Sequence, residues 1–434
     1  MEFLEVPAAL GLSNAEWTLL LDFFTFREEP LARLPHLCQM EPADLDGALE
    51  RLVNLDLIVP KDRDGQPWYA LAPLERWLDG LDGADADALA QERAQLRRLR
   101  SLLGLPSVTV VANREIQDRQ TLHPEILRYA HALMPNVDLR LGTRCNLNCE
   151  YCLLGHEDRY DRSAAEVAAD LAFAREQNLE KVAFTGGEPT MHPDLLRLVS
   201  VARRMGFREQ ILVTNGTTLP YPGRLDRLVE AGISAVGISF DSPDRETAET
   251  MWRSPVFDRV VAAFDQVARF PTLNLGSIAV VTARNFRQLP DLARFFVDLD
   301  GRIGNLFVPN LDFVMPEENA WLNRAVVVPR LSDVAPHVTE ALRIAHGHGL
   351  PLTFRGFPPC ILPGLERYAY DRYMTIFRLV RTADGPVFDR MSLDVLRTKA
   401  PGCRRCVHYR ECTGVSRSYA NLHGTDELRP VEAA

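Results

Sequence analysis

The 434-residue sequence has no basic segment followed by an apolar run near its start; charged Glu2 and Glu5 flank Phe3 and Leu4. No secretory signal is therefore expected. No run of about 18 apolar residues occurs, so no membrane-spanning helix is expected. Cysteine is scarce, eight in all. In a chain without a secretion signal such cysteines more often bind metal or react than form a disulfide framework. These absences together point to a cytoplasmic protein without a membrane partner. Positive charge is scarce at the start: residues 1–80 hold six Lys and Arg against fifteen Asp and Glu. That balance of −9 nearly accounts for the formal net charge of −10. There is no internal repeat and no low-complexity tract. The remainder is ordinary globular composition, 46% hydrophobic and 25% charged, at a length that suggests two or three domains.

Residues 1–80 read as a winged-helix-like module. Ser13 is placed to cap a helix over 14–26, a second helix fits 30–40, and a third fits 41–55 with Leu45, Ala48, Leu49, Leu52 and Leu55 on one face. Short strands at 57–60 and 68–71 flank the turn Asp62-Arg63-Asp64-Gly65, a hairpin signal. Cys38, among Leu34, Leu37 and Met40, reads as a buried structural thiol. A winged helix suggests nucleic acid, and a redox-sensing DNA-binding regulator is one reading of the chain. DNA binding, however, needs Lys and Arg against phosphates. The third helix offers Arg51 against Glu41, Asp44, Asp46 and Glu50, so nucleic acid is not an expected partner. An acidic module suits a basic or mixed peptide, to which Trp68 and Tyr69 could add contacts as an edge strand; Trp68 filling the module's own core is the other reading. Residues 81–134 read as a helical linker.

From residue 135 to 350 short apolar runs alternate with helical stretches. Strands are expected at 137–141, 181–185, 210–214, 235–240, 273–281 and 305–308. Helices are expected at 164–177, 194–205, 223–231, 257–270, 286–298 and 334–347. Alternation of this kind implies a parallel sheet. Six units are too few for a closed eight-unit barrel, so the fold expected is α/β, a partial (β/α)6 TIM-like barrel. Ligands would sit beyond the carboxyl ends of its strands.

Directly after the first of these strands comes Cys145-Asn146-Leu147-Asn148-Cys149-Glu150-Tyr151-Cys152, the spacing C-x3-C-x2-C. Three thiolates on one loop can hold three irons of a cubane and leave the fourth open to an outside ligand. Zinc, with His156 as a fourth ligand, is the other chemistry open to the triplet alone. C-x3-C-x-aromatic-C after a first strand resembles the radical S-adenosylmethionine (SAM) superfamily. The resemblance implies a 4Fe–4S cluster on Cys145, Cys149 and Cys152, with SAM chelating the open iron. It further implies reductive cleavage of SAM to a 5′-deoxyadenosyl radical that abstracts hydrogen from a substrate. Gly186-Gly187-Glu188-Pro189, after the next strand, is similar to the family's SAM-ammonium motif. Asn215 and Ser239, at the ends of the third and fourth strands, and Tyr151 beside the cluster are SAM contacts by the same resemblance. Arg253 reads either as a SAM-carboxylate contact or as a solvated surface residue. No catalytic residue beyond these is assigned.

Residues 351–434 break the rhythm and carry Cys360, Cys403, Cys406 and Cys412, the last three spaced C-x2-C-x5-C. The count suits a closed zinc site or a second cluster. After a radical SAM core it resembles the twitch or SPASM extensions, which hold auxiliary 4Fe–4S clusters; four cysteines imply one. The expected segments are thus 1–80, 81–134, 135–350 and 351–434. The expected function is a radical SAM enzyme acting on a peptide, with a precursor peptide and an electron donor such as flavodoxin or ferredoxin as partners. A radical SAM oxidoreductase acting on a small biosynthetic intermediate is the alternative.

Overall fold

The computed structural model describes residues 12–17, 19–20, 28–30, 34, 42–55, 57–63, 66–71, 107–113 and 137–432, less 155–158, 370–373, 383–384, 390–396 and 410–411. Cys38, His156 and most of the expected second helix lie outside the described residues. Contacts divide the chain into two units. One comprises 1–107, 316–322 and 377–434; the other comprises 108–315 and 323–376.

In the first unit, Ser13 and Glu16 cap a helix reciprocally: Glu16 N donates to Ser13 Oγ at 3.2 Å and Ser13 N to Glu16 Oε2 at 2.6 Å. This capping box satisfies two backbone donors that a helix start leaves open. Strand β1 (Glu28–Pro30), helix α1 (Pro42–Asn54), β2 (Ile58–Arg63) and β3 (Gln66–Leu71) follow. Leu45, Ala48, Leu49 and Leu52 of α1 are buried as the helical spacing requires. The expected hairpin is present, but a third strand accompanies it. The sheet order is β1-β3-β2, with Trp68 opposite both Pro30 and Lys61. The strand carrying Trp68 and Tyr69 is therefore paired on both sides and offers no edge for an added peptide; among the described residues the sheet's edges are β1 and β2.

In the second unit, β4 (Ser107–Asn113) runs antiparallel to β5 (Val137–Arg140). Residues 107–113 fall in the segment read as a helical linker. Ser-Val-Thr-Val-Val is rich in β-branched residues, which fit a strand better than a helix. From β5 the chain alternates as the sequence implies: α2 (Ala164–Glu176), β6 (Lys181–Thr185), α3 (Leu195–Arg204), β7 (Glu209–Thr214), α4 (Arg224–Ala231) and β8 (Ala235–Ser239). Two helices, α5 (Arg245–Trp252) and α6 (Phe257–Ala268), precede β9 (Asn274–Val281). Then come α7 (Leu289–Asp300), β10 (Phe307–Phe313), α8 (Leu331–Gly347) and β11 (Thr353–Arg355).

Strands β5 to β11 pair in consecutive order and all in parallel. Seven strands so wound form a partial barrel, one more than the six units expected. Strand β10 begins two residues later than expected and runs five further, because Pro309, Asn310 and Asp312 make an apolar run look finished. All three are buried. Thr353 Oγ1 donates to Asn310 Oδ1 at 2.8 Å, and Arg355 pairs with Asp312, so the polar side chains are satisfied by β11. The helices pack by apolar stripes, as with Leu195, Leu198, Val199 and Ala202 of α3. Around β8 an aromatic group fills the layer between sheet and helices, with Phe240 stacked on Phe295 at 4.8 Å between ring centroids and edge-on to Phe264 at 5.6 Å.

The chain's end returns to the first unit. Strands β12 (Met374–Thr382) and β13 (Gly385–Asp389) form a hairpin, β14 (Arg397–Thr398) pairs with β15 (Val415–Ser416), and α9 (Arg417–His423) follows. Asn14 and Arg417 bond each other twice: Arg417 Nη1 donates to Asn14 Oδ1 at 2.8 Å, and Asn14 Nδ2 donates to Arg417 O at 3.2 Å. The N-terminal helix and the tail are thus parts of one body, although some 400 residues separate them.

Candidate active site

The carboxyl ends of β5 to β11 converge on a cavity of about 340 Å³. Cys145, Cys149, Cys152, Tyr151, Gly186, Gly187, Asn215 and Ser239 all line it. Residues from four separate strand ends, singled out by sequence, are therefore gathered in one place.

The cysteine loop after β5 lies directly on the turn after β6. Gly187 N donates to Gly142 O at 3.0 Å and Glu188 N to Arg144 O at 2.8 Å. A Cβ at Gly187 would stand 2.1 Å from Arg144 O, and Gly186 has φ +128°, so both positions require glycine. Glu188 does not line the cavity. Its buried carboxylate accepts from Thr190 N at 3.0 Å, Thr190 Oγ1 at 2.5 Å, Thr214 Oγ1 at 2.7 Å and Asn215 N at 2.7 Å. Burial pushes its pKa up, opposed by these hydrogen bonds. With its carboxylate so engaged, Glu188 braces the turn. It joins the ends of β6 and β7.

The thiols sit among N–H donors. Leu147 N points at Cys145 Sγ from 3.4 Å, Asn215 Nδ2 at the same sulfur from 3.8 Å, and Leu154 N at Cys152 Sγ from 3.5 Å. Burial pushes the Cys145 thiol up to about 11, and burial together with Asp241 raises Cys149 well above the usual range. Without metal these groups stay protonated at neutral pH, and loading a metal must release their protons. Among the described residues no three or more His, Cys, Asp or Glu side chains converge closely enough to hold a single metal ion. Cysteines on three different irons of a cubane stand apart by the width of the cluster. Three thiols facing one cavity, with N–H groups directed at two of the sulfurs, fit an iron–sulfur cluster.

Tyr151 lines the cavity, and its hydroxyl donates to Asp241. Asp241 is buried, accepts from Trp252 Nε1 at 2.6 Å and Val280 N at 2.7 Å, and is pushed up to about 6 by burial. Arg253 does not reach the cavity lining; its Nη2 donates to Asn323 Oδ1 at 2.8 Å. Sequence reading assigned no role to Asp138 and Arg140 on β5 or to Asp312 and Arg355 at the ends of β10 and β11, all of which line the cavity. A signal was present for the first pair: β5 reads Val-Asp-Leu-Arg, with Val137 and Leu139 buried on the other face.

The tail cysteines are separate. Cys403 lies on the 3-10 turn Pro401–Arg405, and Cys406 N donates to Cys403 O at 2.9 Å. Val431 N points at Cys406 Sγ from 3.4 Å and Gly414 N at Cys412 Sγ from 3.2 Å. These three belong to the first unit, whereas Cys360 belongs to the second, in the segment following β11.

Residues 139–296 match the family Radical SAM superfamily. Among curated proteins, a GTP 3′,8-cyclase of Chlorobaculum tepidum is 34% identical over 144 residues, 32% of this chain and 42% of the relative. A PqqA peptide cyclase of Bradyrhizobium diazoefficiens is 30% identical over 203 residues, 45% of this chain and 50% of the relative. The chain spans about half the length of the curated relatives it matches. Among solved structures, Streptococcus suis SuiB bound to S-adenosylmethionine is 15% identical, with a TM-score of 0.47 over 82% of this chain and 85% of that one. The family match lies over the strands that build the cavity, so residues 139–296 form a region similar to the Radical SAM superfamily, whose members use a 4Fe–4S cluster and SAM.

Proposed function

We propose that the chain cleaves SAM reductively at a 4Fe–4S cluster held by Cys145, Cys149 and Cys152, and that the resulting radical abstracts hydrogen from a peptide. One observation carries the first part: three thiols, two glycines of the turn after β6, Asn215 and Ser239 line a single cavity at the strand ends. When bound, the cluster supplies the electron that cleaves SAM. The chain's own residues do the rest. Gly186 and Gly187 let backbone carbonyls approach an ammonium closely. Glu188, satisfied by four protein donors, keeps that turn in place against β7. Asn215 and Ser239 offer polar groups to SAM, and Tyr151 presents its ring while Asp241 anchors its hydroxyl. The apolar members of the lining, among them Leu147, Leu153, Val213, Val280 and Phe313, keep water from a reactive species.

Cys403, Cys406 and Cys412 hold a second cluster that passes electrons. Flavodoxin or ferredoxin supplies the reducing electron. The first unit recruits the peptide. Its sheet has β1 and β2 as edges, where an extended peptide can add by main-chain bonds. Its acidity fits a basic or mixed sequence. The PqqA peptide cyclase among the relatives is consistent with this substrate class. The GTP 3′,8-cyclases among them favour a second reading, a small biosynthetic intermediate. Anaerobic incubation with SAM, reductant and the peptide encoded beside the gene, followed by mass spectrometry, tests the reading. A mass change in the peptide supports it. Consumption of GTP with the peptide unchanged would transfer the assignment to the small-molecule class.

A further inference from the structure

We propose that Arg284 is a positioning residue that acts through Glu150 to hold Cys149 and Cys152 in place for their cluster. The inference rests on the reading that these cysteines bind the cluster.

Glu150 lies in the loop between Cys149 and Tyr151, and every polar group it has is engaged. Its N–H donates to Met251 O at 2.9 Å, and its carbonyl accepts from Asn323 Nδ2 at 3.0 Å. Its carboxylate accepts a two-bond fork from Arg284, Nε to Oε2 at 3.1 Å and Nη2 to Oε1 at 3.2 Å. The Glu150 side chain is only 9% exposed. A carboxylate so buried is costly unless paired, and two parallel bonds fix direction as well as position. Neither Glu150 nor Arg284 lines the cavity, so neither is placed to touch SAM or substrate.

Arg284 stands on a rigid support. Its N–H donates to Thr282 Oγ1 at 3.2 Å, and Thr282 N donates to Asn285 Oδ1 at 2.8 Å. The Asn285 amide donates to Asp241 O at 2.7 Å and Val280 O at 2.9 Å. The turn after β9 is thereby tied to the end of β8, and the loop's second half is tied to that turn. Tyr151, bonded to Asp241, adds a parallel tie one residue on.

The loop's two halves are thus held by different strands. The first half, through Thr143 to Cys145, rests on Gly187 and the end of β6. The second half is latched to β8 and β9. The separation between Cys145 and the other two thiols is set by the curvature of the sheet, and the fork between Glu150 and Arg284 transmits that curvature to the loop. Partners of this kind around metal ligands typically matter by about 10–100-fold in metal retention.

The test uses the full chain carrying Cys403→Ala, Cys406→Ala and Cys412→Ala, so that only the loop can hold iron, reconstituted anaerobically. Arg284→Met, Arg284→Lys, Glu150→Gln and the pair Arg284→Met with Glu150→Gln are compared with this parent. Iron release to a ferrous chelator is timed, the EPR spectrum of the reduced cluster is recorded with and without SAM, and the melting temperature of each apoprotein is measured. Each Met or Gln variant is expected to lose iron about tenfold faster or more. The double variant should lose it no faster than the singles, because one interaction has been removed twice. Lys should restore part of the retention, and the SAM-induced spectral change should alter while apoprotein melting stays near the parent's. Parent-like iron release and spectra in both Arg284→Met and Glu150→Gln would sink the latch alone. Apoprotein melting that falls in step with iron loss would assign the pair to the fold and overturn the positioning role. If the parent takes up no iron at the loop, the cluster assignment falls, and the latch with it.

Discussion

The two cysteine groups show two ways of presenting thiols. Both have backbone N–H groups aimed at sulfur, at 3.4 and 3.5 Å in the loop and 3.2 and 3.4 Å in the tail. They differ in what holds the backbone. The loop is seated between strand ends of a parallel sheet, with two buried acidic side chains, Glu150 and Asp241, taking bonds from it or from the strands beside it. The tail group rides on a five-residue 3-10 turn and a pair of two-residue strands. A cluster that keeps one iron open needs its three ligands placed by the protein against a bound cosubstrate. A cluster with every iron ligated is held by the count of thiolates, and short local elements suffice.

The sharpest break of this comparison is Cys149→Ala. SAM cleavage should fall to background and iron content by about half, with the tail cluster retained; cleavage at the wild-type rate would refute the loop assignment. Next is Cys406→Ala, which should also remove about half the iron while reductive SAM cleavage persists and product is lost. Cys360→Ala should behave the same way if it completes the tail set. Equal loss of cleavage and product in either variant would point to a folding role.

A smaller effect is expected from Gly187→Ala. The new Cβ would meet Arg144 O at 2.1 Å, so either the turn or the cysteine loop must shift. A cost of about 1–3 kcal/mol follows from such overpacking, read as a lower melting temperature together with slower iron uptake at the loop. The smallest effect belongs to Ser163→Ala. Ser163 and Glu166 form a solvent-exposed capping box at the start of α2. Its loss should cost about 1 kcal/mol and leave iron content unchanged. A change in iron there would mean the sheet does not isolate the loop from its outer helices.

The N-terminal region sharpens the comparison from another side. Deleting residues 1–80 looks like a clean test of peptide recruitment when the chain is read in order. The structure shows otherwise, because Asn14 bonds Arg417 of the tail and the two belong to one unit. Such a deletion would strip a partner from the buried Arg417. Substitutions on the edges β1 and β2 are the better probe, with peptide affinity as the measurement.

Periodicity and spacing, which are local properties, were enough to read the strands β5 to β9, the helices α2, α3, α4 and α6 between them and the cysteine triplet from the sequence, but not the short helix α5. Alternation of apolar residues fixes which face of an element is buried, and a loop's ligands are set by neighbours within a few residues. Polar residues inside a strand hid the true span of β10, and reading the segment 81–134 by its charge hid β4 in spite of its β-branched residues. Partners remote in sequence were invisible altogether. Glu150 and Arg284 are 134 residues apart, Tyr151 and Asp241 are 90 apart, and Asn14 and Arg417 are 403 apart. A charged residue looks the same in a sequence whether it is solvated or clamped; only when the strands line up does desolvation force a carboxylate to find its partner. The sequence alone determined that three thiols would sit at the end of the first core strand, and the curl of the sheet decided which side chains would hold them there.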